Sequence, residues 1–105
     1  MSSLDSFSVQ SERNGGTVRL MPTGELDIAS VPDFELSFDA AVGEAPDAIV
    51  VDLSQLTFID STGLRALLSM SERYKGDLGL TLGSPAVERI IDITGTRGQL
   101  PLIDG

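Results

Sequence analysis

Cysteine is missing from this chain, and so are histidine and tryptophan. Without thiols there can be no disulfide, no thiolate nucleophile and no dithiol redox pair. Without imidazole there is no Ser–His or Cys–His pair and none of the usual zinc sites. An enzyme built from these residues would have only carboxylates, hydroxyls, arginines and one lysine, Lys75, to work with. Positive charge is also scarce. Seven Lys and Arg stand against sixteen Asp and Glu, a formal charge of −9. The basic residues (Arg13, Arg19, Arg65, Arg73, Lys75, Arg89 and Arg97) are scattered, so no surface could displace counterions from a nucleic acid backbone. Such an acidic chain suits solubility, or steering toward a basic protein partner. Long apolar runs are absent too, none approaching the roughly 18–20 residues of a membrane span. Met1-Ser2-Ser3-Leu4-Asp5 has neither the basic start nor the apolar middle of a signal peptide. A cytoplasmic protein without membrane or nucleic acid partners is therefore expected.

What is present is enough for one core. Hydrophobic residues make up 41% of 105 residues, which fits a single domain over 1–105, with frayed ends expected near 1–5 and 104–105.

The chain is organised around Ile49 to Leu68. Ile49-Val50-Val51-Asp52-Leu53 is short and β-branched, the composition of a buried strand. A polar turn follows. Leu64, Leu67 and Leu68 then fall on one helical face. Between them stands Asp60-Ser61-Thr62-Gly63. Asp, Ser and Thr side chains accept bonds from free N–H groups at a helix start, and that end also favours an anion such as phosphate. Simple capping is the plainest role for these residues.

Around this centre, Phe7 to Ser11 and Thr17 to Met21 alternate across Asn14-Gly15-Gly16, the pattern of a β-hairpin. Pro22 to Asp27 leaves the second strand. Ser30 is placed to cap a helix with Pro32 in its first turn, apolar positions at Phe34, Phe38, Ala41 and Val42, and Gly43 to close it. A strand over Ala48 to Leu53 leads to a helix from about Ser61 to Tyr74, ended by Lys75-Gly76. Leu78 to Leu82 reads as a strand. Ser84-Pro85 opens a third helix, with Val87, Ile90 and Ile91 buried and Gly95 as its stop. Leu100-Pro101-Leu102-Ile103 reads as a final edge strand, because of its proline. The order β-β-α-β-α-β-α-β favours an α/β fold with parallel pairing and right-handed crossovers.

Three stretches resemble the STAS-domain family, and within it the bacterial anti-sigma factor antagonists (anti-anti-sigma factors). They are Gly24-Glu25-Leu26-Asp27, then Val51-Asp52-Leu53 with Phe58-Ile59-Asp60-Ser61-Thr62-Gly63-Leu64, then Ser84-Pro85-Ala86-Val87-Glu88-Arg89-Ile90 through Thr94-Gly95. The resemblance runs from the hairpin onward. It implies a STAS-like mixed β-sheet of four to five strands with a hairpin start and three to four packed helices. It implies a binding switch rather than an enzyme, with no cofactor or metal. The unphosphorylated form would bind an anti-sigma factor, a serine kinase, and so release a sigma factor. The kinase would phosphorylate Ser61 and a PP2C-type phosphatase would reset it. Thr62 is the second choice as phosphosite. Asp27 matches an aspartate that takes part in kinase contact, against a simple turn role, and Asp60 would orient Ser61 for the kinase where it does not serve only as a turn or cap carboxylate. Gly63 would either keep the site open or serve packing. Arg65 and Ile28 are available to a partner surface. After Gly95 the chain departs from the family pattern, with Thr96 in place of a large apolar residue.

Two other readings compete. A STAS scaffold or transport-complex subunit would bind a partner without switching. A receiver-like Mg²⁺ phosphoryl-transfer site at Asp52 would need an acidic pair after the first strand and a lysine late in the sheet, and this chain has neither.

Overall fold

The computed structural model describes residues 7–103, so the expected frayed ends at 1–5 and 104–105 lie outside the described residues. Gly15-Gly16 turns the chain between β1 (Phe7–Asn14) and β2 (Thr17–Leu26), which pair antiparallel from Asn14 opposite Thr17 to Phe7 opposite Gly24. Gly15 takes φ +65°, which a two-residue hairpin turn favours and glycine adopts without steric cost. α1 (Val31–Gly43) returns the chain to β3 (Ala48–Asp52), parallel to Thr17–Leu20 at the start of β2. β4 (Leu56–Ile59) then pairs parallel with the far end of β2, Gly24 to Leu26. β3 and β4 thus pair with successive segments of the same strand. α2 (Ser61–Arg73) crosses to β5 (Asp77–Thr81), parallel to β3, and α3 (Pro85–Thr94) follows. The sheet order is β1-β2-β3-β5, with β4 beside β2.

The helices cover one sheet face. Val18 and Leu20 of β2 and Ile49 and Val51 of β3 alternate inward, to join Phe34 and Phe38 of α1, Leu64, Leu67 and Met70 of α2, and Val87 and Ile91 of α3. Each such side chain, fully buried, contributes about 1.5–3 kcal/mol from loss of apolar contact with water. Arg19 and Asp52 lie at the alternate positions of β2 and β3 and form an ion pair. Tyr74, just past α2, meets Phe38 of α1 edge-to-face with ring centres 5.6 Å apart.

Several expectations are corrected. Leu56–Ile59 is a strand where only a turn was expected. β2 runs through Pro22 to Leu26 instead of ending near Met21. Counting from the two-residue turn, Pro22 opposite Val9 is a pair without ladder hydrogen bonds. A residue here would aim its N–H at the other edge, in the gap between the β3 and β4 pairings. The missing N–H therefore costs the sheet nothing. α1 includes Gly43, and the left-handed residue after it is Ala45, φ +52°. α2 ends at Arg73 with Tyr74 extended, so Lys75-Gly76 lies outside the helix and does not cap it. Val42 is exposed and Ile90 half-buried, whereas Val87 and Ile91 are fully buried. Gly95 takes φ +68° and closes α3 as expected. The final strand is reduced to one parallel bridge, Leu80 with Leu102, after a single 3-10 turn at Arg97–Gln99. Thr96 is buried, and its hydroxyl meets that of Thr94 at 2.9 Å, so a polar residue is satisfied where a large apolar one was expected.

Candidate functional site

The pairing of β2 with β4 brings two separated stretches together. Leu26 is in register with Ile59, so the next residues, Asp27 and Asp60, leave the carboxyl ends of adjacent parallel strands. The Asp60 N–H donates to the Leu26 carbonyl at 3.3 Å, joining the two exits. The carboxyl ends of parallel strands in α/β sheets are where ligands and partners characteristically meet the fold.

Asp60 caps α2. It is extended, its Oδ1 accepts from the Gly63 N–H at 2.9 Å, and its carbonyl accepts from the Leu64 N–H at 3.0 Å. Ser61 and Thr62 are the first two helical residues, whose N–H groups have no partner within a helix. Ser61 is exposed, Thr62 half-buried and Arg65 exposed. Gly63 is buried against β2. A β-carbon there would lie 2.5 Å from the Leu26 carbonyl oxygen and 2.9 Å from Ile59 Cγ1. Packing thus requires this glycine, and the close approach seats the start of α2 on the strand end.

Asp27 shapes the other exit. Its Oδ1 accepts from the N–H groups of Ala29 at 3.0 Å and Ser30 at 3.2 Å. Ser30 does not cap α1 through its side chain, contrary to expectation. Its hydroxyl instead donates to the Glu25 carbonyl at 2.7 Å and accepts from the Asp27 N–H at 3.0 Å. The carboxylate, one bond longer in reach, takes the turn amides, and the shorter hydroxyl ties the turn back to β2. Ile28, beside Asp27, is 74% exposed. A shallow groove of about 240 Å³ runs between α1 and α2, lined by Val31, Glu35, Thr62, Arg65, Ala66 and Ser69.

Asp52 is engaged elsewhere. Its Oδ1 accepts from the Ser54 N–H at 3.0 Å and the Thr81 hydroxyl at 3.1 Å, and its Oδ2 accepts from Arg19. Burial pushes its carboxyl up, but the donors of Ser54, Arg19 and Thr81 together outweigh this and hold it below the usual 3.8. Arg19 and Thr81 tie β3 to its neighbours β2 and β5, and Ser54 fixes the turn after it. Among the described residues, no group of three or more acidic side chains could hold a metal ion, and no helix is long and apolar enough to cross a membrane.

These features define a small α/β domain that presents two strand exits and an exposed serine at a helix start on one surface. The chain belongs to the STAS domain family, whose sequence profile matches residues 8–104. It is similar to the anti-sigma-F factor antagonist RsfB of Mycobacterium tuberculosis, 34% identical over 73 residues, 70% of this chain and 60% of that protein. The chain thus spans less than two thirds of that relative. An anti-sigma factor antagonist from Mycobacterium paratuberculosis has a crystal structure that superposes with a TM-score of 0.85 at 31% identity, covering 100% of this chain and 92% of the other. The unphosphorylated form of the anti-sigma factor antagonist SpoIIAA superposes with a TM-score of 0.70 at 25% identity, over 93% and 88% of the two chains.

Proposed function

We propose that this protein is an anti-sigma factor antagonist switched by phosphorylation at Ser61. Unphosphorylated, it binds an anti-sigma factor that is itself a serine kinase, and so releases a sigma factor. The Ser61 hydroxyl attacks the γ-phosphorus of ATP, its proton passes to a base of the kinase, and ADP leaves. A PP2C-type phosphatase hydrolyses the phosphoserine and restores the binding form. The chain itself acts as a regulatory binding protein of the cytoplasm and performs no catalysis. The observation that carries this reading is the exposure of Ser61 at the first position of α2, next to the strand exit that bears Asp27.

A phosphate adds about −1.5 to −2 charge at neutral pH. At the end of α2 that charge is tolerated, since helix starts favour anions by about 0.3–2 kcal/mol. Blocking a partner asks for more: about 5.5 kcal/mol to move an equilibrium from 1:99 to 99:1. A phosphate enclosed in an interface supplies this, because desolvating a charge costs several kcal/mol. Asp27 and Asp60 nearby add repulsion. Binding is therefore blocked at the contact surface, without refolding.

The test is capture of partners from host lysate on immobilised wild type and Ser61→Asp. An ATPase-type anti-sigma factor held by wild type and lost by S61D supports the switch. Equal retention by both rejects Ser61 as the switch and leaves a STAS scaffold. Incubation of S61A and T62A with the captured kinase and ATP assigns the acceptor: only S61A should stay unlabelled.

A further inference from the structure

We propose that Arg65 pairs with the phosphate once Ser61 is phosphorylated, a role that rests on the phosphosite reading above. Arg65 stands four residues after Ser61 on α2, and both are exposed. Residues at this spacing share one helix face with β-carbons about 5–6 Å apart. Helical side chains also lean toward the N-terminus, so Arg65 leans toward Ser61. Anion first and cation four residues later is the favourable order for such a pair. Arg65 is also uncommitted. Among the described residues its guanidinium enters no ion pair, whereas Arg13, Arg19 and Arg97 each hold a carboxylate.

The neighbouring elements bring acidic groups to this place: Asp27 from the end of β2, Asp60 from the cap of α2, and Glu35 from α1 across the groove. These carboxylates favour the singly charged phosphate and push its second ionisation up. The start of α2 pulls it down, in every variant alike, and Arg65 pulls it down further through charge-assisted hydrogen bonds whose planar fork matches phosphate oxygens. In the unphosphorylated protein the same side chain is open to a partner. Phosphorylation thus does two things: it adds negative charge at residue 61, and it draws the arginine of that surface onto the phosphate.

The experiment installs phosphoserine at position 61 during translation, through an expanded genetic code, so that no kinase is needed. The second ionisation is followed by phosphorus NMR against pH in the wild type, R65Q, R65K and R73Q, the last removing an equal charge from the far end of α2. The expected result is a wild-type value about half a unit below that of R65Q, with R73Q matching wild type and R65K falling between. Coincident curves for wild type and R65Q overturn the proposal, as does a shift in R73Q equal to that in R65Q. Because the phosphate is built in, the curves do not depend on whether a cellular kinase modifies Ser61. Failure of the switch in the capture experiment, with these curves as expected, would remove the function and leave the pairing.

Discussion

A methyl group at residue 63 has nowhere to go. Its nearest neighbour would be the Leu26 carbonyl oxygen, 2.5 Å away, and that atom belongs to backbone which also holds the Asp60 N–H. Relief requires the start of α2 to lift from β2. Gly63→Ala should therefore destabilise the domain by about 1–3 kcal/mol, the usual cost of overpacking a close contact. Urea unfolding checks this, and an unchanged midpoint would rule out the close packing. Ser61→Ala is the matched control, since an exposed side chain of this size should change stability by no more than about 0.5 kcal/mol. Gly63 and Ser61 are two residues apart, yet one is held by packing and the other is free for chemistry. The sequence alone left both readings of Gly63 open, because a glycine beside a serine looks the same whether it spares a partner or a strand. The approach of Leu26, thirty-odd residues earlier, decides it, and no local pattern carries that information.

Among the elements, the three helices and the hairpin were readable because their apolar spacing matches one buried face and their punctuation is strong. β4 was not. Only Leu56 and Ile59 of its four residues are buried, and the two between them are exposed, so the period-two signal of a strand never appears. The extension of β2 was hidden by Pro22, which looks like a strand end until the gap between its two partners is known. Ser30 reads from the sequence as the cap of α1, and only the geometry of the turn shows that Asp27 takes the amides while Ser30 ties back to β2. The site residues were grouped only through the family resemblance, because the two strand ends they follow, Leu26 and Ile59, are the ones no local pattern marks. The network around Asp52 was not legible, because its donors come from three places: Arg19 in β2, Ser54 after β3, and Thr81 in β5. This network gives an element-scale prediction. Asp52 is held below 3.8 in the folded chain, so its contribution is fully present above the unfolded value. It is lost as pH falls through the lower folded value. Asp52→Asn should lower the unfolding free energy most near neutral pH, with the gap to wild type narrowing below about pH 4. A gap that stays constant from pH 7 to pH 2.5 would show that the ionised form contributes nothing to the joint between strands.

Over the whole molecule, the open question is whether a charge at one end is felt at the other. The single helical layer makes α2 a shared member: its start sits against β2 at the site, and the residue after its last turn sits against α1. Tyr74, in contact with Phe38, is the chain's sole tyrosine, and tryptophan is absent. The protein consequently has one intrinsic fluorophore, which needs no label and has no competitor above the phenylalanine absorption band. It sits about 20 Å along the helix axis from Ser61, at 1.5 Å per residue. Its emission intensity and anisotropy report the seating of α2 on α1, and are blind to a purely local change of charge. If phosphorylation acts only at the contact surface, S61D and wild type should be optically indistinguishable in the native state while diverging sharply in partner binding. A native-state difference in Tyr74 emission would mean that the helix moves as a lever. The same light, followed during titration with a partner, would then time the switch in the unlabelled protein.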